Sequence, residues 1–287
     1  MFGVLQSVHK LYASLFPAAA ILVFDGGLSE RRRALYPEYK KYAQSAVAAK
    51  REAEAGERQQ FYDQKGFIST ILRGFGIPTL EFPGREADDV ILHAAHYLPK
   101  LGLGITKIAV ISEDMDLCQC IQCSVHGECE VELHRPVRDL VLTRNNLDVH
   151  LGYPRQYYKW YKALVGKPRE VQGIPGIGEK TAVALINEAH AQDKTLIELV
   201  EGRKGKRYET LSASIHDFYT GLAIGDLFLE ELTVDERAAI FAAVLMTTTC
   251  DDLLEASKAT ARRLEFHSIV DEWDSWTKPF MDAIRGR

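Results

Sequence analysis

Acidic side chains with the character of ligands fall into three groups along the chain: Asp25; Glu86, Asp88 and Asp89; and Asp114 with Asp116. An apolar run at 18–24 (AAAILVF) delivers Asp25, and a second at 107–111 (KIAVI) leads into Ser112-Glu113-Asp114-Met115-Asp116. The middle group opens a helical pattern at 86–98. Short apolar runs bounded by turn residues predict buried strands, and in open α/β sheets ligands gather at the carboxyl ends of the strands. Six carboxylates at one sheet edge repel one another unless a cation neutralises them. Hard oxygen donors suit Mg²⁺ or Mn²⁺, and two such ions are a recurring device of phosphodiester hydrolysis. A single aspartate in such a place more often caps a turn. Three groups, after two strands and at one helix start, predict a site for up to two divalent ions.

A second pattern is built from glycine. Gly173-Ile174-Pro175-Gly176-Ile177-Gly178-Glu179-Lys180-Thr181-Ala182 precedes an apolar helical stretch. Closely spaced glycines let backbone N–H groups approach a phosphate at a helix start, and Lys180 adds a point charge. Contacts of this kind position a protein on DNA without reading its sequence. The spacing does not match a P-loop; a glycine turn that only joins two packed helices is the plainer alternative. Cys118, Cys120, Cys123 and Cys129, with His126 among them, lack the paired spacing of common zinc sites and suit an apolar core.

These residues need elements to position them. Residues 2–16 show helical spacing stopped by Pro17, and 28–66 is long, polar and helix-favouring, suited to projecting from the body. Core-like periodicity returns at 67–75, and short alternating strands follow at 130–134 and 139–142. Beyond Tyr153 the pattern is helical. Strands alternating with helices predict an α/β fold with a mainly parallel central sheet flanked by helices, followed by a helical C-terminal part. The expected division is an α/β core at 1–150, a helical subdomain at 151–225 and an acidic helical extension at 226–287. The 287 residues carry a net charge of −5, which by itself does not mark a nucleic-acid binder. Residues 226–287 hold 13 acidic and 7 basic side chains, so the rest is close to neutral, with basic stretches at 31–65, 155–180 and 203–207. No apolar run is long enough to cross a bilayer. Five cysteines, four of them within 118–129, argue against a disulfide framework and for a reducing, cytoplasmic setting.

Taken together, FDGGLSERRRALYPEYKK, GREADDVI, ISEDMDL, LTRNNLDVHLGYPRQYYKWYKALVG and GIPGIGEKTA resemble, in order and spacing, the 5′-nuclease family. That family comprises bacterial and phage 5′–3′ exonucleases, the 5′-nuclease domain of bacterial DNA polymerase I and flap endonucleases. The resemblance covers roughly residues 1–225. It implies a PIN-like core with a helical arch at about 28–66, a helix–three-turn–helix at 173–182, and metal-dependent hydrolysis of DNA at 5′ ends and flaps. The family's metal-binding acids fall on Asp25, Glu86, Asp88, Asp89, Asp114 and Asp116. Its arch residues that contact the scissile phosphate fall on Arg32 and Lys40. Its hairpin contact to duplex DNA falls on Gly173, Gly176, Gly178 and Lys180, with a K⁺ ion bridging. The implied protein is a monomer that works on DNA alongside replication or repair proteins, with no membrane association.

Two departures from the family pattern stand out. Family members begin with a strand ending in Asp-Gly, whereas this sequence opens on Met1-Phe2-Gly3-Val4-Leu5, a segment that follows that strand elsewhere. The family's Gly-Asp-x-Ser-Asp-Asn-Ile-Pro-Gly reads here Gly166-Lys167-Pro168-Arg169-Glu170-Val171-Gln172-Gly173. Both aspartates are missing, Glu170 is the one acid in the stretch, and Lys167 and Arg169 place positive charge where a cation would sit. The alternative expectation is therefore a relative that grips branched DNA without cutting it efficiently.

Overall fold

The computed structural model describes residues 2–40, 55–124, 128–167, 170–201, 203–246 and 251–285. Helical spacing produces α1 (Phe2–Leu15), which ends where Phe16 turns left-handed ahead of Pro17. Then come β1 (Leu22–Val23), α2 (Glu30–Leu35), α3 (Ala55–Gly74), β2 (Thr79–Leu80) and α4 (Ala87–Tyr97). The strands β3 (Lys107–Ile111), β4 (Glu130–Arg135) and β5 (Leu140–Leu142) follow, then α5 (Leu147–Leu151) and α6 (Tyr158–Val165). A short hairpin of β6 (Gly166–Lys167) and β7 (Val171–Gln172) leads to α7 (Glu179–Ala191), α8 (Leu196–Val200), α9 (Lys206–Ala213) and α10 (Ile215–Ile224). The chain closes with α11 (Val234–Leu245), α12 (Asp251–Arg263), α13 (His267–Asp271) and α14 (Trp273–Arg285). Among the described residues no helix is long and apolar enough to cross a membrane.

The chain divides into two units. One comprises Met1–Asp25, Ala48–Phe82 and Thr233–Arg287; the other comprises Gly26–Val47 and Pro83–Leu232. In the first, β1 and β2 pair in parallel, Leu22 opposite Thr79. There α3 packs on α12 and α1 on α14, around Leu5, Tyr12, Ile71, Leu72, Phe75 and Phe280. At Gly74 α3 and α12 approach so closely that a Cβ would run into Ser257. Residues 67–75 do not start a separate element, as the periodicity suggests, because α3 runs through Gly66 into the core. One glycine costs a helix about 1 kcal/mol relative to alanine, which the buried face beyond it offsets. Of the expected arch, residues 41–54 lie outside the described residues.

In the second unit β3 runs parallel to β4, Lys107 opposite Glu130, and β4 runs antiparallel to β5. The connection between β4 and β5, Pro136–Arg138 with Asp139 left-handed at φ 48°, is too short for the crossover that a parallel pair requires. Leu92, Leu117, Ile121, Val131, Leu133 and Leu142 fill the space between this sheet, α4 and the 3₁₀ segment Met115–Cys123. A second core, with Leu164, Ile174, Ile177, Leu185, Ile186 and Phe218, joins α6, α7, α8 and α10. Here α10 lies so close to α6 that a Cβ on Gly221 would come within 2.9 Å of the Ala163 Cα.

Candidate active site

Both acidic groups that include helix or strand ends of the second unit are tied to cations of the chain itself. Glu86 sits at the N-cap of α4 and is buried; Asp88 and Asp89 lie in the first turn. Asp89 receives two parallel bonds from the Arg32 guanidinium, Nη1 to Oδ2 at 2.7 Å and Nη2 to Oδ1 at 2.6 Å. Arg32 also donates through Nε to the Ile224 carbonyl at 3.0 Å and through Nη2 to the Asp226 carbonyl at 3.1 Å. The α2 turn that carries it is capped by Ser29, whose Oγ accepts from the Arg32 amide at 3.0 Å. Arg32 is 2% exposed. It was expected at the scissile phosphate; the structure commits its fork to Asp89 and two carbonyls, a fixed internal position.

Glu86 gathers a different set. Its Oε2 accepts from the Tyr39 hydroxyl at 2.9 Å and from Lys40 Nζ at 2.8 Å. Burial works against the Glu86 charge, but the Lys40 and Arg32 charges outweigh it and hold the carboxyl below its ordinary value. Lys40 sits in a left-handed backbone conformation, φ 51°, and its side chain remains one-quarter exposed. Asp25 follows β1 in the first unit and is exposed.

At the end of β3, Asp114 caps the 3₁₀ segment, its Oδ1 accepting from the Asp116 amide at 2.9 Å. Lys167 Nζ lies 3.0 Å from Asp114 Oδ2, 3.0 Å from Asp116 Oδ2 and 3.0 Å from Glu170 Oε1. Asp116 is also paired with Lys162, and its Oδ1 accepts from the Tyr158 hydroxyl at 2.8 Å. Burial raises the Asp116 pKa, and the two ammonium groups more than reverse that, leaving it below the ordinary value. Burial pushes the Tyr158 phenol up, and the Asp116 charge pushes it further, so it remains a donor.

Among the described residues no group of three or more His, Cys, Asp or Glu side chains is arranged so that it could hold a metal ion. The two ends of the site differ in how well they suit one. Glu86 and Asp88 carry hard carboxylate oxygens; Glu86 is paired with Tyr39, with Arg32 at 3.6 Å and with Lys40, whose side chain is partly exposed. Asp114 and Asp116 were expected to hold an ion as well, but their facing oxygens already accept from lysine ammonium groups. Asp89, expected as a ligand, has both oxygens engaged by Arg32.

The glycine segment is exposed at Gly176, Gly178 and Lys180, while Ile174 and Ile177 are buried in the core of α6 and α7. Gly176 is left-handed at φ 74°, and a Cβ on Gly176 or Gly178 would meet open space. The turn therefore packs its helices and also leaves the start of α7 accessible. A cleft of about 580 Å³ runs from Met115 and Tyr158 to Glu179 and Lys180. Cys118, Cys120 and Cys129 are buried as free thiols, and Cys123 is a free thiol; burial pushes all four up in pKa. His126 lies outside the described residues.

Three partners in the site were missed from sequence: Tyr39, Tyr158 and Lys162. Tyr158 and Lys162 stand four apart on α6, hence on one face. A lysine sharing the face of a buried tyrosine was the available signal.

Residues 1–138 match the N-terminal resolvase-like domain of 5′-3′ exonucleases. The chain is 31% identical over 189 residues to a 5′-3′ exonuclease of Aquifex aeolicus, covering 66% of this chain and 58% of that protein. It is 26% identical over 298 residues to DNA polymerase I of Rhizobium leguminosarum, covering 99% of this chain and 27% of the polymerase. The chain thus spans between about a quarter and three-fifths of these curated relatives. Among solved structures, it shares the fold of the phage T5 5′-exonuclease with bound zinc, at a TM-score of 0.62 and 20% identity over 91% of this chain and 89% of the other. A phage T5 D15 flap endonuclease variant in complex with DNA and metal ions gives a TM-score of 0.64 and 23% identity, over 88% and 89%. Ordered motifs, a matched N-terminal domain and a shared fold agree, and the chain is similar in sequence and fold to the 5′-nuclease family.

Proposed function

We propose that this chain hydrolyses DNA phosphodiesters as a structure-selective 5′–3′ exonuclease or flap endonuclease, with Mg²⁺ or Mn²⁺ as cofactor. The observation that carries the reading is the Glu86–Asp88 start of α4 with Lys40 resting on Glu86. Glu86 and Asp88 would hold the ion, which when bound activates water and offsets phosphate charge. The expectation for Asp25 as a further ligand rests on its motif. Tyr39 keeps one Glu86 oxygen in place by donating to it. Lys40, partly exposed beside Glu86, would be the ammonium that reaches a phosphate and stabilises charge as it develops. The exposed Gly176–Gly178 turn and Lys180 take the duplex backbone, and a K⁺ ion at this turn belongs to the same proposal.

Cleavage of a 5′-flapped duplex with Mn²⁺, followed alongside binding, tests this reading. Lys40→Ala is expected to lower turnover far more than it weakens binding, because its contact strengthens towards the transition state. Equal losses in the two would make Lys40 an ordinary phosphate contact, and a wild-type chain that leaves the flap intact would remove the nuclease reading.

A further inference from the structure

We propose that the Asp114–Asp116 end of the site takes no divalent ion, because the Lys167 ammonium occupies the place between those carboxylates as a resident cation. Its significance for catalysis rests on the nuclease reading above; its structural basis does not. An ammonium has three N–H donors and no acceptor. Lys167 Nζ donates to Asp114 and Asp116 at 3.0 Å each and is ion-paired at 3.0 Å with Glu170, so three carboxylates surround the one ammonium. The Asp116 oxygen that faces Lys167 also accepts from Lys162, whose ammonium lies 3.8 Å from Glu170, and the other oxygen accepts from Tyr158. Three carboxylates therefore share two ammonium groups in a closed set of pairs. A divalent ion entering between Asp114 and Asp116 would displace these bonds and stand against two like charges, one of them on the buried Lys162.

Backbone geometry fixes the arrangement. Lys167 is the last residue of β6, and Glu170 lies across the hairpin turn, donating its amide to the Lys167 carbonyl at 3.0 Å. The hairpin is held tight by a pair of glycines. Gly166 is left-handed at φ 76°, and a Cβ on either Gly166 or Gly173 would run into the backbone of the other. The two strands are thereby closed on each other, with Lys167 aimed at the end of β3. The same stretch is where the sequence departs from the family pattern, bringing in Lys167 where that pattern carries acids. Exchange of an acid that would help bind an external cation for a lysine that is itself the cation keeps the local charge balance.

The test is the number of Mn²⁺ ions bound per chain, counted by titration calorimetry and by the paramagnetic signal of free Mn²⁺, on wild type, Asp114→Asn, Lys167→Ala and Lys167→Asp. The expected result is that Asp114→Asn binds as many ions as wild type, while Lys167→Asp binds one more. That added ion should disappear in the Lys167→Asp, Asp114→Asn double variant. In metal-free buffer Lys167→Ala is expected to melt lower than wild type, and Mn²⁺ to restore the difference. Loss of an ion in Asp114→Asn would overturn the proposal, as would folded Lys167 variants that neither gain an ion nor respond to Mn²⁺. Should Lys167→Asp fail to fold, the Asp114→Asn count and the Lys167→Ala melting curves still decide it. Ion counts stand apart from cleavage, so a chain that cuts no DNA can satisfy this test, and one that cuts well can fail it.

Discussion

Arg32 shows how a residue type legible in sequence can take a role that is not. Its place in SERRRALYPEYK predicts a phosphate contact, and the fold turns it inward, with two hydrogen bonds to Asp89 and two to backbone carbonyls. Removing one partner of a buried pair leaves the other charge uncompensated, typically at a cost of about 3–5 kcal/mol. Arg32→Ala is therefore expected to lose stability of that order in urea unfolding, where a surface phosphate contact would lose almost none. The acids carry a pH signature as well. Asp116 and Glu86 titrate below their ordinary values of 3.8 and 4.5, so both are ionised in the folded state at a pH where the unfolded chain begins to take up protons. Their contribution to stability is fully present above those ordinary values and is lost as pH falls through the depressed ones. Melting curves should show a decline setting in below about pH 4.5, with a shallower decline in Asp116→Asn.

Elements decide which of these residues meet. Residues 107–111 were readable as a strand because a short apolar run stood between turn residues, and β3 forms there, ending just before Asp114. The start of α4 was readable from its acids. What could not be read was the β6–β7 hairpin, only two residues on each strand, too short for any periodicity to register, yet it aims Lys167. The merging of residues 67–75 into α3 escaped for a related reason: Gly66 looks like a boundary, and only tertiary burial keeps the helix continuous. The glycine turn before α7 is the element whose role in binding is most directly testable. Its Ile174 and Ile177 are buried and its Gly176, Gly178 and Lys180 are exposed, so packing and phosphate contact sit on different residues. Lys180→Glu is expected to weaken binding to a flapped duplex about equally for unrelated sequences and to reduce the salt slope by about one unit. Affinity measured at several KCl concentrations checks this, and a turn that serves only to pack helices would leave the slope unchanged.

For the molecule as a whole, the family and the α/β character were legible because five short motifs occur in order, each weak alone and specific together. The assignment of partners within the site was legible only for Lys167, which stands where the family pattern carries acids; Tyr39, Tyr158 and Lys162 carry no chemical signature until the fold brings them to the acids. Charge follows the same division: carboxylates are conspicuous in sequence, and the cations that neutralise them are ordinary lysines and an arginine distributed from residue 32 to residue 167. The activity proposed for this chain is cation-dependent 5′ nucleolysis centred on the start of α4. Its most direct test is cleavage of a 5′-flapped duplex by wild type and Asp88→Asn in Mg²⁺, Mn²⁺ or a chelator, with DNA affinity measured in parallel. The expected result is cleavage by wild type that the chelator abolishes, and a loss of orders of magnitude in Asp88→Asn with affinity retained. Cleavage that persists in the chelator, or in a folded Asp88→Asn at the wild-type rate, would contradict the account.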